Sequence, residues 1–233
     1  MTAPTRADLI AFLAGYVTEN KQTQIARVLD HRTRYVTVAL EDIYQPHNAS
    51  AVLRTCECFG VQDVHLMEGR NRYRPNPGVS MGASHWLTLN RYNQEEPNEA
   101  CVSALRSRGY RIVATTPAGD AVELDRFSTE RGPFALLFGT EEAGLRPETI
   151  ALADEHLRLP MFGFTRSYNV SVSVAIALAA LVPLLHRSSL PWELTPHEKE
   201  DLTLTWYRRI VRRHQDLEER FVADWAAGGS SNS

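Results

Sequence analysis

The strongest constraint in this 233-residue chain is a run of short strand-like segments interleaved with segments of helical periodicity. Tyr35–Leu40 (YVTVAL) is β-branched and apolar, and Val61–Met67, Tyr110–Thr115, Phe134–Phe138 and His156–Leu159 read as further strands. Between them, His47–Phe59 reads as a helix that stops at Gly60, and a second helix centres on Asn98–Ser107. Trp86–Arg91 continues the alternation. Strands alternating with helices predict parallel βαβ units, and so an α/β fold whose parallel sheet is flanked by helices on both faces.

The flanks carry no such alternation. Leu9, Ile10, Phe12, Leu13, Tyr16 and Val17 recur at helical spacing, which predicts a short amphipathic helix over the first ~18 residues and a second helix over Lys21–Leu29. Arg70–Gly82 is rich in Pro, Asn and Gly and holds no periodicity, so it reads as a loop. Asn169–Leu185 is apolar all round with many small residues, which predicts a helix buried in the core or in a subunit interface. After the linker Pro191–Pro196, Thr195 and Glu198 form a capping box opening one long helix of about thirty residues. The closing Gly/Ser tail is expected to be disordered.

Composition narrows the class. The chain is 43% hydrophobic and 23% charged, an ordinary globular balance. The longest apolar stretch, Ser171–Leu185, falls short of the ~20 residues of a membrane span. Met1–Asp8 lacks a secretory apolar run, and three cysteines make no disulfide framework, so the expected home is the cytoplasm. The eight histidines show no metal-ligand spacing, and no metal is expected. The net charge of −3 speaks against a polyanionic partner until it is divided along the chain. Residues 1–91 carry a net +2, residues 92–160 a net −5, and residues 161–233 balance. The 25 cations are almost all Arg, and they cluster at Arg27–Arg34, Arg70–Arg74 and Arg208–Arg213, with Tyr73 inside the second cluster and Trp206 and Tyr207 leading into the third. Such patches are often just solvated faces, yet three in one chain suit a polyanion.

Ligands of open α/β sheets bind at the carboxyl ends of strands, and three such ends carry unusual residues. Asn48 and Arg54 sit on the helix after the first strand, six residues and so roughly 120° of helix rotation apart. Asn48 would also serve as a simple cap, and Arg54 on an otherwise apolar helix needs a partner if buried. Leu136–Gly144 runs from a strand into G-x-E-x-x-G, whose glycines allow close backbone approach but do not form a dinucleotide fingerprint. Leu159–Ser171 passes from a strand end through a Gly-containing loop to Ser167 and Asn169, either of which would cap the following helix.

In this order the three segments resemble the motifs of the SPOUT class of S-adenosylmethionine-dependent methyltransferases, most closely the tRNA (guanosine-2'-O)-methyltransferases. The residues that carry the resemblance are NASAVLRTCECFG (Asn48–Gly60), LLFGTEEAGL (Leu136–Leu145) and LPMFGFTRSYNVSVSVAIAL (Leu159–Leu178). It implies a C-terminal deep trefoil knot, which general topology rules disfavour, and a homodimer. It implies a methyltransferase domain over residues 35–187, helical extensions over 1–34 and 188–226, and a tail over 227–233. It assigns catalysis to Arg54, Asn48, Glu141, Ser167 and Asn169, and S-adenosylmethionine binding to Thr115, Gly139, Leu159, Met161 and Tyr168. Tyr168 departs from the usual leucine and needs a partner for its phenol. The short N-terminal extension suits a tRNA substrate, with guanosine 18 of the D-loop as target and Arg32, Arg34, Arg208, Arg209, Arg212 and Arg213 as RNA contacts.

Methyl transfer to a ribose hydroxyl needs positioning and removal of one proton. A guanidinium is ordinarily a poor base, so the role implied for Arg54 requires a desolvated, locally arranged site. Three alternatives stand beside this reading: methylation of ribosomal RNA, a catalytically silent RNA-binding protein of the same fold, and a small-molecule enzyme with a nucleotide cofactor.

Overall fold

Seven strands form one wholly parallel sheet in the computed structural model of the chain, which describes residues 3–73, 77–117, 119–140 and 142–228. In chain order they are β1 (Val36–Glu41), β2 (Asp63–Met67), β3 (Thr88–Tyr92), β4 (Arg111–Thr115), β5 (Val122–Glu123), β6 (Phe134–Phe138) and β7 (Glu155–Arg158). The helices are α1 (Arg6–Ala14), α2 (Glu19–Leu29), α3 (Pro46–Cys58), α4 (Pro77–Ser80), α5 (Pro97–Ser107), α6 (Pro147–Ala151), α7 (Val170–Arg187), α8 (Pro196–Ile210) and α9 (His214–Gly228). The sheet runs β3-β2-β1-β6-β4-β7-β5, with Val38 beside Leu136 and Val113 also beside Leu136. β5, α4 and α6 are short elements that periodicity does not reveal.

The chain divides into two compact units. Thr33–Glu193 contains the sheet with α3 to α7. Alternation of side chains along each strand fills two separate cores. Val36, Val38, Leu40, Phe134, Leu136 and Phe138 pack with residues of α3 and α7, whereas Ala39, Ile112, Ala114, Ala135 and Leu137 pack with α5. Burial on both faces explains the uninterrupted apolar runs. α7, at 18 residues, is longer than the sequence suggests and is apolar enough to meet the length and composition of a membrane span. Val174, Ala177, Leu178, Leu181 and Leu185 instead lie fully buried in the core.

Residues 1–32 and 194–233 form the second unit. Thr5 and Thr195 each close a capping box, the latter as its spacing predicts, and Thr18 caps α2. α1 packs on α8, where Arg6 pairs with Asp201 at 2.8 Å, and Phe12 stacks on Phe221 with ring centroids 4.4 Å apart. The single thirty-residue terminal helix does not form. It breaks at Val211–Arg213, with Arg213 in the left-handed region at φ 56°, into α8 and α9. Glu218 accepts from Arg208 Nε at 2.9 Å and Nη2 at 2.6 Å, which ties the two helices across the break. Neither Gly nor Pro marks the corner, so periodicity reads straight through it. α9 extends to Gly228; the remainder of the expected tail lies outside the described residues.

Candidate active site

A cavity of about 290 Å³ opens at the carboxyl ends of β4, β6 and β7. Its wall is largely apolar, with Phe138, Leu157 and Val170, and a few polar groups interrupt it. The size approaches, and the composition matches, a small-molecule site, for which ~300–1,000 Å³ is common. All five residues expected to bind the cofactor line it: Thr115, Gly139, Leu159, Met161 and Tyr168. Ser167 lines it as well.

Two glycines shape its floor. After β6 the chain loops from Thr140 back to Gly144, and the two residues exchange backbone N–H···O hydrogen bonds of 3.0 Å. The loop doubles back so tightly that a Cβ on Gly139 would stand 2.0 Å from the Gly144 carbonyl carbon and 2.1 Å from Leu145 N. Gly144 has φ +70°, a conformation that side chains disfavour. Thr140 Oγ1 accepts from Ala143 N at 3.1 Å, closing the turn further. Glu141, the expected acidic member of this loop, lies outside the described residues.

The third segment folds on itself through the unusual tyrosine. Tyr168 donates its hydroxyl hydrogen bond to Pro160 O at 2.8 Å, so the phenol has the partner it requires, and the residue remains 37% exposed at the cavity. Asn169 caps α7 by accepting from Ser171 N at 2.9 Å, and its Nδ2 donates to Asn48 Oδ1 at 3.1 Å. The two asparagines, 121 residues apart in sequence, therefore join the first and third segments directly. Asn48 is buried at 4% exposure, within the first turn of α3 rather than at its cap. Arg54 is exposed on the same helix, without an ion-pair partner among the described residues. Neither Arg54 nor the asparagine pair lines the cavity.

Sequence reasoning missed several contributors. Arg166 brings a cation to the cavity wall and Thr116 a hydroxyl; both adjoin residues already singled out. Glu41, at the carboxyl end of β1, is 1% exposed and accepts from Arg146 Nε at 2.5 Å and from Asn98 Nδ2 at 2.7 Å. Arg146 follows the Gly139–Leu145 loop, so its pairing with the buried Glu41 ties the loop's far end to the sheet.

The arginines expected to touch RNA fall into different environments. Arg32 is only 1% exposed, with its guanidinium 5.4 Å from the Trp206 ring centroid, so it is an internal residue. Arg34 pairs with the buried Asp63 at 3.2 Å, beside Arg108 at 2.8 Å on the other oxygen. Arg208 is held by Glu218, and Arg213 pairs with Asp216 at 2.6 Å. Arg209 and Arg212 are exposed. The first four correct the expectation of RNA contact: a buried carboxylate takes up Arg34, acidic neighbours take up Arg208 and Arg213, and Arg32 is enclosed against Trp206.

Fold and site together define a parallel α/β protein with a small, mostly apolar cavity at its strand ends, walled in part by a glycine loop. The chain belongs to the SpoU rRNA Methylase family, whose model matches residues 35–179. It is 41% identical over 209 residues to the tRNA (guanosine(18)-2'-O)-methyltransferase of Borreliella burgdorferi, covering 90% of this chain and 94% of that protein. The A. aeolicus TrmH/SpoU tRNA modifying enzyme superposes with a TM-score of 0.74 at 25% identity, over 84% of this chain and 98% of that one. An AdoMet-bound rRNA methyltransferase from Sinorhizobium meliloti superposes with a TM-score of 0.56 at 26% identity, over 70% and 60% of the two chains.

Proposed function

We propose that this protein is a cytoplasmic tRNA methyltransferase that uses S-adenosylmethionine to methylate the ribose 2'-hydroxyl of guanosine 18. The observation that carries the reading is that the second and third motif segments share the lining of one strand-end cavity through Gly139, Met161 and Tyr168, while the Asn48–Asn169 hydrogen bond ties the first segment to the third. The likeness to the Borreliella enzyme over nearly the full length of both chains selects tRNA over ribosomal RNA.

The cavity fits the cofactor by size and by chemistry. Leu157, Leu159 and Met161 offer apolar surface to a purine, while Thr115 and Ser167 offer hydroxyls at its polar edges. S-adenosylmethionine supplies an activated methyl group there. Asn169 and Asn48 fix the start of α7 against α3, and that junction orients the helix bearing Arg54. Arg54 holds the ribose hydroxyl and assists loss of its proton. Glu141 and Ser167 complete the catalytic set, as the family motif implies. Because Arg54 is exposed in the single chain, the desolvation this role needs must come from the RNA or from a second copy of the protein.

A homodimer through α7 accounts for its exposed Val172 and Leu184, each 44% accessible on an otherwise apolar helix. A C-terminal trefoil knot in the methyltransferase domain rests on family membership. Within residues 35–187 the domain would be catalytic. The helical segments 1–34 and 188–226 would hold RNA, with Arg209 and Arg212 as exposed contacts in α8 and the turn after it.

Incubation with labelled S-adenosylmethionine and separate pools of tRNA and ribosomal RNA tests the reading. Label in tRNA at guanosine 18 is expected; label in ribosomal RNA alone, or in neither pool, overturns it. Arg54→Ala is expected to lower turnover at saturating tRNA by at least ~100-fold with cofactor binding intact. Full turnover removes Arg54 from catalysis.

A further inference from the structure

The Arg70–Tyr73 segment, which follows β2, alternates in burial. Asn71 is half-buried and Tyr73 buried, whereas Arg70 and Arg72 are exposed. Its backbone is held from beneath by three acidic or basic side chains. Asp42 Oδ1 accepts from Arg70 N and Asn71 N, both at 2.7 Å, and Asn71 Nδ2 donates back to Asp42 O at 3.0 Å. Asp42 itself sits in the left-handed region at φ 53°, a strained position for a residue with a Cβ. At the other end, the buried Glu68 accepts from Tyr73 N at 2.7 Å and pairs with Arg91 at 2.6 Å, and Arg91 Nη2 also donates to Tyr73 O at 3.0 Å.

This anchoring leaves the two guanidiniums directed outward. Elsewhere in the same unit, Arg34, Arg91, Arg108 and Arg146 are spent on buried carboxylates. Arg70 and Arg72 have no ion-pair partner among the described residues, and the nearby Asp42 carboxylate is already committed to backbone amides. Tyr73 places the segment against α3, its hydroxyl 3.3 Å from Ser50 Oγ. Ser50 and Arg54 are four residues apart and share one helix face, so the exposed Arg54 stands one turn from that contact. Among the described residues, Arg70 and Arg72 thus carry unpaired charge on a pre-ordered segment that packs against the helix bearing Arg54.

We infer that Arg70 and Arg72 form a rigid phosphate grip for the RNA backbone beside the nucleotide presented to Arg54. This deepens the proposed RNA substrate and rests on that reading. Pre-ordering matters because a guanidinium on a mobile loop loses conformational entropy when it binds, whereas here the backbone part of that cost is met in folding.

The test is an R70A/R72A double variant, with R70K/R72K as the charge-conserving control. Equilibrium binding of tRNA across a salt series and steady-state kinetics are measured, with calorimetric titration of S-adenosylmethionine as a check on the cavity. Loss of two phosphate contacts is expected to weaken tRNA binding, and raise its KM, by about tenfold, and to flatten the log K against log salt slope by about 1.5. Turnover at saturating tRNA and cofactor affinity should stay at the wild-type level, and the Lys variant should recover most of the binding. Wild-type tRNA affinity and salt slope in R70A/R72A overturn the inference. The two readings fail separately: a wild-type protein that binds tRNA but transfers no label refutes the enzyme reading, while the salt slopes still decide the grip.

Discussion

Gly139→Ala asks how much of the cavity depends on one missing methyl group. The added Cβ would lie 2.0 Å from Gly144 C, 2.1 Å from Gly144 O and 2.1 Å from Leu145 N, all of them backbone atoms that cannot rotate aside. Ordinary contact starts near 3.4 Å, so the two backbone segments must part by about 1.4 Å. The paired Thr140–Gly144 hydrogen bonds, now 3.0 Å, would not survive that separation. Two net hydrogen bonds at about 0.5–1.5 kcal/mol each, together with overpacking strain of about 1–3 kcal/mol, give a cost of about 2–6 kcal/mol. If the loop yields rather than the whole fold, cofactor affinity drops at least ~30-fold, since about 1.4 kcal/mol is a factor of ten. If the strain spreads globally, the melting temperature drops by at least ~4 °C. Gly144→Ala is the control: its Cβ meets nothing within 4 Å and suffers only the φ +70° conformation, worth about 1–2 kcal/mol. Calorimetric titration of S-adenosylmethionine and thermal unfolding of both variants read the outcome. A Gly139→Ala protein with wild-type affinity and melting temperature, or one less affected than Gly144→Ala, refutes the reasoning.

Two further predictions follow from side chains with defined partners. Tyr168→Phe removes only the hydrogen bond to Pro160 O and is expected to weaken cofactor binding by about two- to tenfold, read by the same titration; an unchanged dissociation constant would show that the loop holds without it. Burial lowers the pKa of His65 to about 4, so its ring stays neutral in the fold while the unfolded chain protonates it near 6.5. The unfolded state therefore binds more protons between pH 6.5 and 4, and stability falls as pH drops through that window, by up to about 3 kcal/mol. Urea unfolding at pH 7, 5.5 and 4.5 should show this loss in the wild type and a smaller one in His65→Gln; identical pH slopes in the two proteins would remove His65 as the cause.

Much of this protein is local in sequence and was legible there. The doubly buried runs at Tyr35–Leu40 and Phe134–Phe138 become central strands, and the Thr195–Glu198 capping box starts its helix where the spacing says. The cavity residues came from the family resemblance rather than from periodicity; three of them, Thr115, Gly139 and Leu159, fall at or next to strand ends, which a parallel sheet gathers on one edge. The break between α8 and α9 was not legible, since it turns on Arg213 adopting a left-handed conformation while Arg208 and Glu218 tie the corner.

Charge marks the sharper division. By itself the sequence determined that the chain is an α/β protein with arginine clusters and three ordered motifs. Only the tertiary structure decided which arginines are available. Arg32 faces Trp206, Arg34 meets Asp63 across 29 residues, and Arg146 meets Glu41 across 105. Periodicity carries information over a few turns of chain, but a buried carboxylate takes whichever guanidinium the fold brings within reach. Removing that charge from water makes the pairing obligatory. Arg70 and Arg72 escape such pairing because the carboxylates beside them are occupied with backbone amides and with Arg91, and so the fold leaves them to face solvent.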